Sequence, residues 1–190
     1  VLYFPYFFHP DPTVKRQSGF LMPYFTSSRN SGTSIQIPYY KVISENKDFT
    51  IRPTFFDNDK IMSQSEYRQV NKNSNFIADF GFVKNYESST TKKTKNLSHL
   101  FAKFDLDLKL EKFISSNLSA SYEKVSNDSY LKIFNSHITK SKARPSNFDK
   151  LNNNLRLFLI HENYNLETGV ETFETLGQAN SDKYQYILPY

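Results

Sequence analysis

From Leu100 to Leu110 the even positions are all apolar (Leu100, Ala102, Phe104, Leu106, Leu108, Leu110), with Lys103, Asp105, Asp107 and Lys109 between them. A period of two puts successive side chains on opposite faces of an extended strand, whereas a helix would scatter this pattern around its surface. The alternation recurs at Phe76, Ala78, Phe80 and Phe82, at Phe49, Ile51, Pro53 and Phe55, and from Tyr164 to Thr172, and more weakly over 117–125. The pattern predicts an all-β chain of roughly ten strands and no helix.

The strands are long for a soluble protein. Many run roughly 9–12 residues, close to the ~9–11 of a tilted bilayer-crossing strand and above the ~5–6 usual in water. The links between them fall at 27–33, 44–47, 57–60, 72–74, 87–97, 111–116, 126–150, 163–164 and 177–183. Long polar links (27–33, 87–97, 126–150, 177–183) alternate with short ones, except that 57–60 is short. An up-and-down sheet places alternate links at opposite ends, and long links at one end with tight turns at the other characterise outer-membrane barrels. A soluble sandwich also alternates and stays open as a reading.

Composition narrows the chemistry. The 190 residues contain no Cys and no Trp, but 18 Phe and 13 Tyr, with a formal charge of +5. Without Cys there is no disulfide scaffold, thiolate zinc site or thiol nucleophile in this stretch. The aromatic content speaks against disorder. His9, His99, His137 and His161 lie apart, so no metal site is expected. Asp105 and Asp107 share a strand face, but flanking Lys103 and Lys109 make it an ordinary charged wall, so no catalytic residue and no cofactor is assigned. Lys92, Lys93 and Lys95, and Lys140, Lys142 and Arg144, form two basic clusters in long links. They lack the interleaved aromatics that stack on bases, so no nucleic acid is expected, and lipid phosphates or solvent are their partners. The chain opens on Val1 with no visible signal segment and ends on Tyr184–Tyr190, strand-like to its last residue, so it is expected to be a piece of a longer protein.

Two prolines break the strand grammar. Pro23 interrupts 19–25 and Pro38 interrupts 34–42. Proline has no N–H for the ladder, so these are either tolerated bulges or a seam kept weak between consecutive strands.

Against this background the run Tyr3-Phe4-Pro5-Tyr6-Phe7, then Pro10 and Lys15 to Pro23, followed by Ile37-Pro38-Tyr39-Tyr40, Asp48, Thr50, Arg52-Pro53 and Glu66-Tyr67-Arg68, resembles the lipopolysaccharide-assembly LptD family, also called organic solvent tolerance proteins. Val125 to Leu131 resembles a further family motif, with Asn127 where Asp is usual, and Tyr184 to Tyr190 resembles the start of a later barrel strand. The resemblance implies that residues 1–16 are the last strand of a periplasmic β-jellyroll and its link, and that 17–190 are the first part of an antiparallel, up-and-down transmembrane β-barrel. It implies a translocon in the outer membrane of a Gram-negative cell. Its expected partners are lipopolysaccharide, the plug lipoprotein LptE, the periplasmic bridge protein LptA and the surrounding lipids. Pro23 and Pro38 would then form a lateral gate, and no enzyme activity is expected. Tyr3, Phe4, Phe7 and Phe8 would border the lipid path, although plain core packing accounts for them equally well. Glu66, Arg68, Asp105, Asp107, Glu167 and Glu171 would line a wet lumen. A passive porin or receptor barrel and a soluble carbohydrate-binding β-sandwich are the competing readings.

Overall fold

The computed structural model describes residues 16–29, 31–57, 59–88, 93–139, 141–178 and 181–190. Tyr3, Phe4, Phe7 and Phe8, and with them the jellyroll expectation for 1–16 up to residue 15, lie outside the described residues. The chain is all-β and antiparallel, as its alternation predicts. A single 12-stranded sheet contains β1 (Gly19–Phe20), β2 (Tyr24–Ser28), β3 (Gly32–Gln36), β4 (Tyr39–Ser44), β5 (Lys47–Phe56), β6 (Ile61–Val70), β7 (Ser74–Glu87), β8 (Thr94–Asp107), β9 (Ser115–Val125), β10 (Lys150–Ile160), β11 (Asn165–Thr175) and β12 (Tyr184–Ile187). From β4 onward each strand pairs with the next in sequence, and the sheet stays open at its two edges within the described residues. A short helix, α1 (Tyr130–Phe134), departs from the helix-free expectation. It is seeded by Asn127, whose Oδ1 accepts hydrogen bonds from the Ser129 amide (3.0 Å) and hydroxyl (2.6 Å).

The ladders carry the alternation across the whole sheet. Phe80 faces Leu100 and Ala78 faces Ala102, which in turn faces Tyr122. Further along, Ala120 faces Leu155, and Leu155 faces Val170. These residues form one continuous apolar face that is bare: Phe80 is 49% exposed and Leu100 40%. The opposite face carries Glu66, Asp79 and Phe101 in one row, and Gln64, Gly81 and His99 in the next.

This second face is where the packed core sits, because the 126–149 link folds back over it. Tyr130, Leu131, Phe134, Ile138 and Ala143 of the link bury against Met62, Val83, Leu97, Phe101 and Val125 of the strands. The link was expected to be a polar excursion; instead its few apolar residues cover part of a polar sheet face and remove it from solvent. Burying those large side chains contributes about 1.5–3 kcal/mol each. Arg144, expected to face lipid phosphate or solvent, turns inward instead. Its guanidinium donates to the Ile138 carbonyl (2.8 Å) and the Asn135 side chain (2.6 Å), closing the link on itself. Lys93 and Lys95 are exposed, whereas Lys92 and Lys140 lie outside the described residues.

Candidate functional site

The first two strands of the sheet are each split at a proline. Pro23 lies in the gap between β1 and β2, and Pro38 in the gap between β3 and β4. The halves are not in one register. Phe20 faces Tyr39 in the first ladder, whereas Tyr24 faces Gln36 in the second, so the first strand holds one extra residue across the gap. Pro23 therefore sits in a bulge. Leu21 donates its amide to the Pro38 carbonyl at 2.9 Å, but Pro38 has no N–H to return. Further along this seam the Val42 amide is taken by the Ser18 hydroxyl (2.9 Å) rather than by backbone.

The weakness extends to the next strand. β3 and β4 keep a common register against β5, which sets Ile37 opposite Pro53 and Pro38 opposite Arg52. Ile37 donates to the Pro53 carbonyl at 3.0 Å, and Pro53 cannot reciprocate. The second strand thus lacks a ladder bond on each of its sides within two residues, its own donor at Pro38 and the donor of β5 opposite Ile37. Alternation alone left Pro53 as one apolar position among several; only the register shows that it faces the break.

Beneath the break, on the covered face, lies a cavity of about 410 Å³ lined by Leu21, Tyr24, Pro38, Arg52, Thr54 and His137, among others. Arg52 ends a chain of ion pairs. Arg16 contacts Asp48, Asp48 accepts from Arg68 Nε (2.7 Å), and Glu66 lies 3.8 Å from Arg68 and 3.6 Å from Arg52. Glu66 and Arg68, with Asp105, also line a larger cavity of about 830 Å³ on this face. Asp107 shares the face but is engaged locally, accepting from the Lys109 amide at 3.0 Å. Glu171, also on this face, is buried against Arg156 (2.8 Å) and Asn152 (2.7 Å). Glu167 is opposite Phe158 on the same face and is exposed. The six carboxylate and arginine positions therefore share one face of the sheet, and Glu66, Arg68 and Asp105 are gathered at one cavity.

The covering link reaches the seam. Gln36 donates to the His137 carbonyl (3.4 Å), and His137 Nδ1 lies 3.3 Å from the Ser31 hydroxyl. Lys60 donates to the Ser31 carbonyl at 2.8 Å, with its ammonium 4.6 Å from the Phe56 ring centre. Burial lowers the basicity of both Lys60 and His137.

A second polar group anchors the link to the wall. Asp79 Oδ1 and His99 Nε2 lie 3.3 Å apart, and His99 Nδ1 lies 2.8 Å from the Tyr130 hydroxyl. With Asp79 holding the Nε2 proton, Nδ1 accepts from Tyr130. Gln64 donates to Asp79 Oδ2 (2.8 Å), and its side-chain oxygen accepts from the Thr139 amide (2.9 Å). The order Asp–His–hydroxyl resembles a catalytic relay, but Asp79, His99, Gln64 and Tyr130 are all under 2% exposed. No substrate reaches them, and burial raises the Tyr130 hydroxyl pKa well above its ordinary value, so it keeps its proton. The group is a structural tie. Gly81 makes room for it: a Cβ there would sit 2.2 Å from the His99 ring. Among the described residues no cluster of His, Asp and Glu could hold a metal.

Residues 1–85, which include the whole seam, match the family model described as LptD protein. Over most of its length the chain is also similar to proteins named LPS-assembly protein LptD. One from Idiomarina loihiensis is 28% identical over 181 residues, 95% of this chain and 22% of the relative. Another, from Pseudomonas fluorescens, is 26% identical over 189 residues, 98% of this chain and 19% of the relative. The chain is therefore similar to the LptD family along its length, most specifically in residues 1–85. In Francisella tularensis subsp. novicida the likeness to an LptD is higher, 38%, but confined to 72 residues, 38% of this chain and 8% of the relative. The chain spans about a fifth of the length of the LptD relatives it matches end to end.

Proposed function

We propose that this chain forms the first part of an outer-membrane barrel that passes lipopolysaccharide to the cell surface and releases it sideways between its first strands. The bare apolar face then meets lipid and the covered polar face lines the lumen, where Glu66, Arg68, Asp105, Asp107, Glu167 and Glu171 stand. The observation that carries the reading is the pair of consecutive strands split at Pro23 and Pro38. Each missing ladder bond is worth about 0.5–1.5 kcal/mol net, and more where no water replaces it. A seam short of donors opens more readily than its neighbours. Sideways release suits an amphiphile. Its sugars stay in the wet lumen while its acyl chains avoid a polar passage that would cost about 0.8 kcal/mol per exposed CH₂.

The same family reading places the segment before residue 16 at the end of a periplasmic jellyroll. Tyr3, Phe4, Phe7 and Phe8 would lie along the lipid path, LptA would deliver the lipid and LptE would fill the completed barrel. The work is movement without covalent change, so no enzymatic step is assigned. The full-length double variant Pro23→Ala/Pro38→Ala tests the gate. It should fold, reach the outer membrane and bind its plug, yet deliver less lipopolysaccharide to the surface at matched abundance. Unchanged delivery would reduce both prolines to shape-giving bulges.

A further inference from the structure

The ion-pair chain under the seam is unbalanced. Three guanidinium groups (Arg16, Arg68, Arg52) share two carboxylates (Asp48, Glu66), and among the described residues Arg52, at the end beside the seam, has one ion-pair contact, 3.6 Å to Glu66. Its Nη1 is buried without a hydrogen-bond partner, and so is His137 Nε2. Both side chains line the 410 Å³ cavity. His137 has its Nδ1 beside the hydroxyls of Ser136 (3.0 Å) and Ser31 (3.3 Å); with a hydroxyl donating to Nδ1, Nε2–H is the free donor of the neutral ring. The remaining walls are of two kinds: hydroxyls and amide from Thr26, Ser34, Gln36, Thr54, Ser136 and Thr139, and the apolar Leu21, Tyr24 and Pro38 at the break itself. A guanidinium with an unpaired buried Nη1, an imidazole N–H and several hydroxyls on one side, with an apolar lip on the other, match an oxyanion tethered to an apolar body.

We propose that this cavity binds a phosphate group of an amphipathic glycolipid at the inner lip of the seam, with Arg52 and His137 as the donors to phosphate and Leu21, Tyr24 and Pro38 against the apolar part. The identity of the amphiphile rests on the lipopolysaccharide reading above; the preference for phosphate does not. Burial supports the role of Arg52, because a charge-assisted hydrogen bond is strongest where water is scarce.

The test uses the full-length protein with its plug partner in detergent and three probes: purified lipopolysaccharide, the same material after chemical removal of its lipid phosphates, and phosphatidylglycerol vesicles. Arg52→Gln should weaken binding of the phosphorylated form roughly tenfold, the usual worth of one such bond, and leave the dephosphorylated form unchanged. Arg52→Lys, which keeps the charge, should recover part of the loss. His137→Gln, placed in the link rather than a strand, should show the same selectivity with a smaller loss, and it keeps the test decisive if Arg52→Gln assembles poorly. Competition by phosphatidylglycerol that Arg52→Gln abolishes would keep the phosphate site and make phospholipid its source. Equal losses for both forms of lipopolysaccharide, or no loss in either variant, would overturn the site. The gate and the phosphate site fail separately: the double proline variant reads delivery, and the Arg52 variants read phosphate-dependent binding.

Discussion

The seam at the sheet edge and the wall made by β7, β8 and β9 share the same alternation of apolar and polar residues, yet they are built to opposite tolerances. In the wall, β7 and β8 stay in one register from Ser74 opposite Leu106 to Val83 opposite Leu97 before the first irregularity. Its covered face is locked from above by Tyr130 through His99 and Asp79. At the seam only two residue pairs join β1 to β4 before the ladder breaks, and it resumes one residue out of step. Donors are missing at Pro23, Pro38 and Pro53, and the space beneath is a cavity rather than a packed core. Alternation decides which side chains stand on the bare face and which on the covered one; the supply of backbone donors and the fill behind them decide how firmly neighbouring strands hold together.

The largest effect that would break this comparison is expected on the bare face of the wall. Leu100 is the seventh of the fourteen residues of β8, whereas Leu106 is one short of its end. If this face meets hydrocarbon, Leu100→Arg should destabilise the full-length barrel by about 2–4 kcal/mol, and Leu106→Arg, near the interface, by about 0–1 kcal/mol. Denaturant unfolding from vesicles measures both. Equal and small costs would mean that the wall does not face lipid.

The tie behind the wall comes next. Tyr130→Phe removes the hydroxyl from His99 Nδ1 and leaves that buried nitrogen unsatisfied, an expected cost of about 1–3 kcal/mol. Gly81→Ala should cost a similar ~1–3 kcal/mol, because the new Cβ must displace a ring held by Asp79 and Tyr130. Both changes should loosen the 126–149 link first, seen as faster protease cleavage between β9 and β10 while the strands still protect their amides. Resistance equal to the parent would show that the link is held by apolar contacts alone.

The strands and their two faces were legible because burial on one side of a long strand forces a period of two; their bounds were less so, since β8 begins at Thr94 inside the expected 87–97 link and ends at Asp107, short of Leu110, and the expected 27–33 link is mostly strand. What the 126–149 link does was not legible. Its apolar residues Tyr130, Leu131, Phe134 and Ile138 are thinly spread among polar ones, and what they cover includes residues as far away in sequence as Met62 and Val83. His99 and Asp79 looked like isolated residues because the register that places them side by side joins positions 20 apart. A glycine in mid-strand, Gly81, was the one local sign of that close approach. At the seam Pro23 and Pro38 stood out at once. Arg52, His137 and Pro53 did not, since their importance lies in which residue each one faces across a strand pair or beneath it.

The smallest expected effect is the most discriminating for the seam. Gly19 and Gly81 both lie on the covered side of their strands, by their pairing with Tyr40 and His99. A Cβ at Gly81 collides with the His99 ring, whereas one at Gly19 meets none of the described residues within 4 Å. Gly19→Ala should therefore change stability by less than about 0.5 kcal/mol, the ordinary range for a substitution that touches nothing. The full-length protein makes this a sharp measurement. Any strand that closes the sheet against β1 must pass beside Gly19, and tight packing there would turn the added methyl into a cost. A loss near that of Gly81→Ala would show that the seam is packed as firmly as the wall once closed, and the donor-poor strands would then hold by side-chain contact. A change near zero, with lipopolysaccharide delivery intact, would leave the seam as loosely held as its missing hydrogen bonds imply.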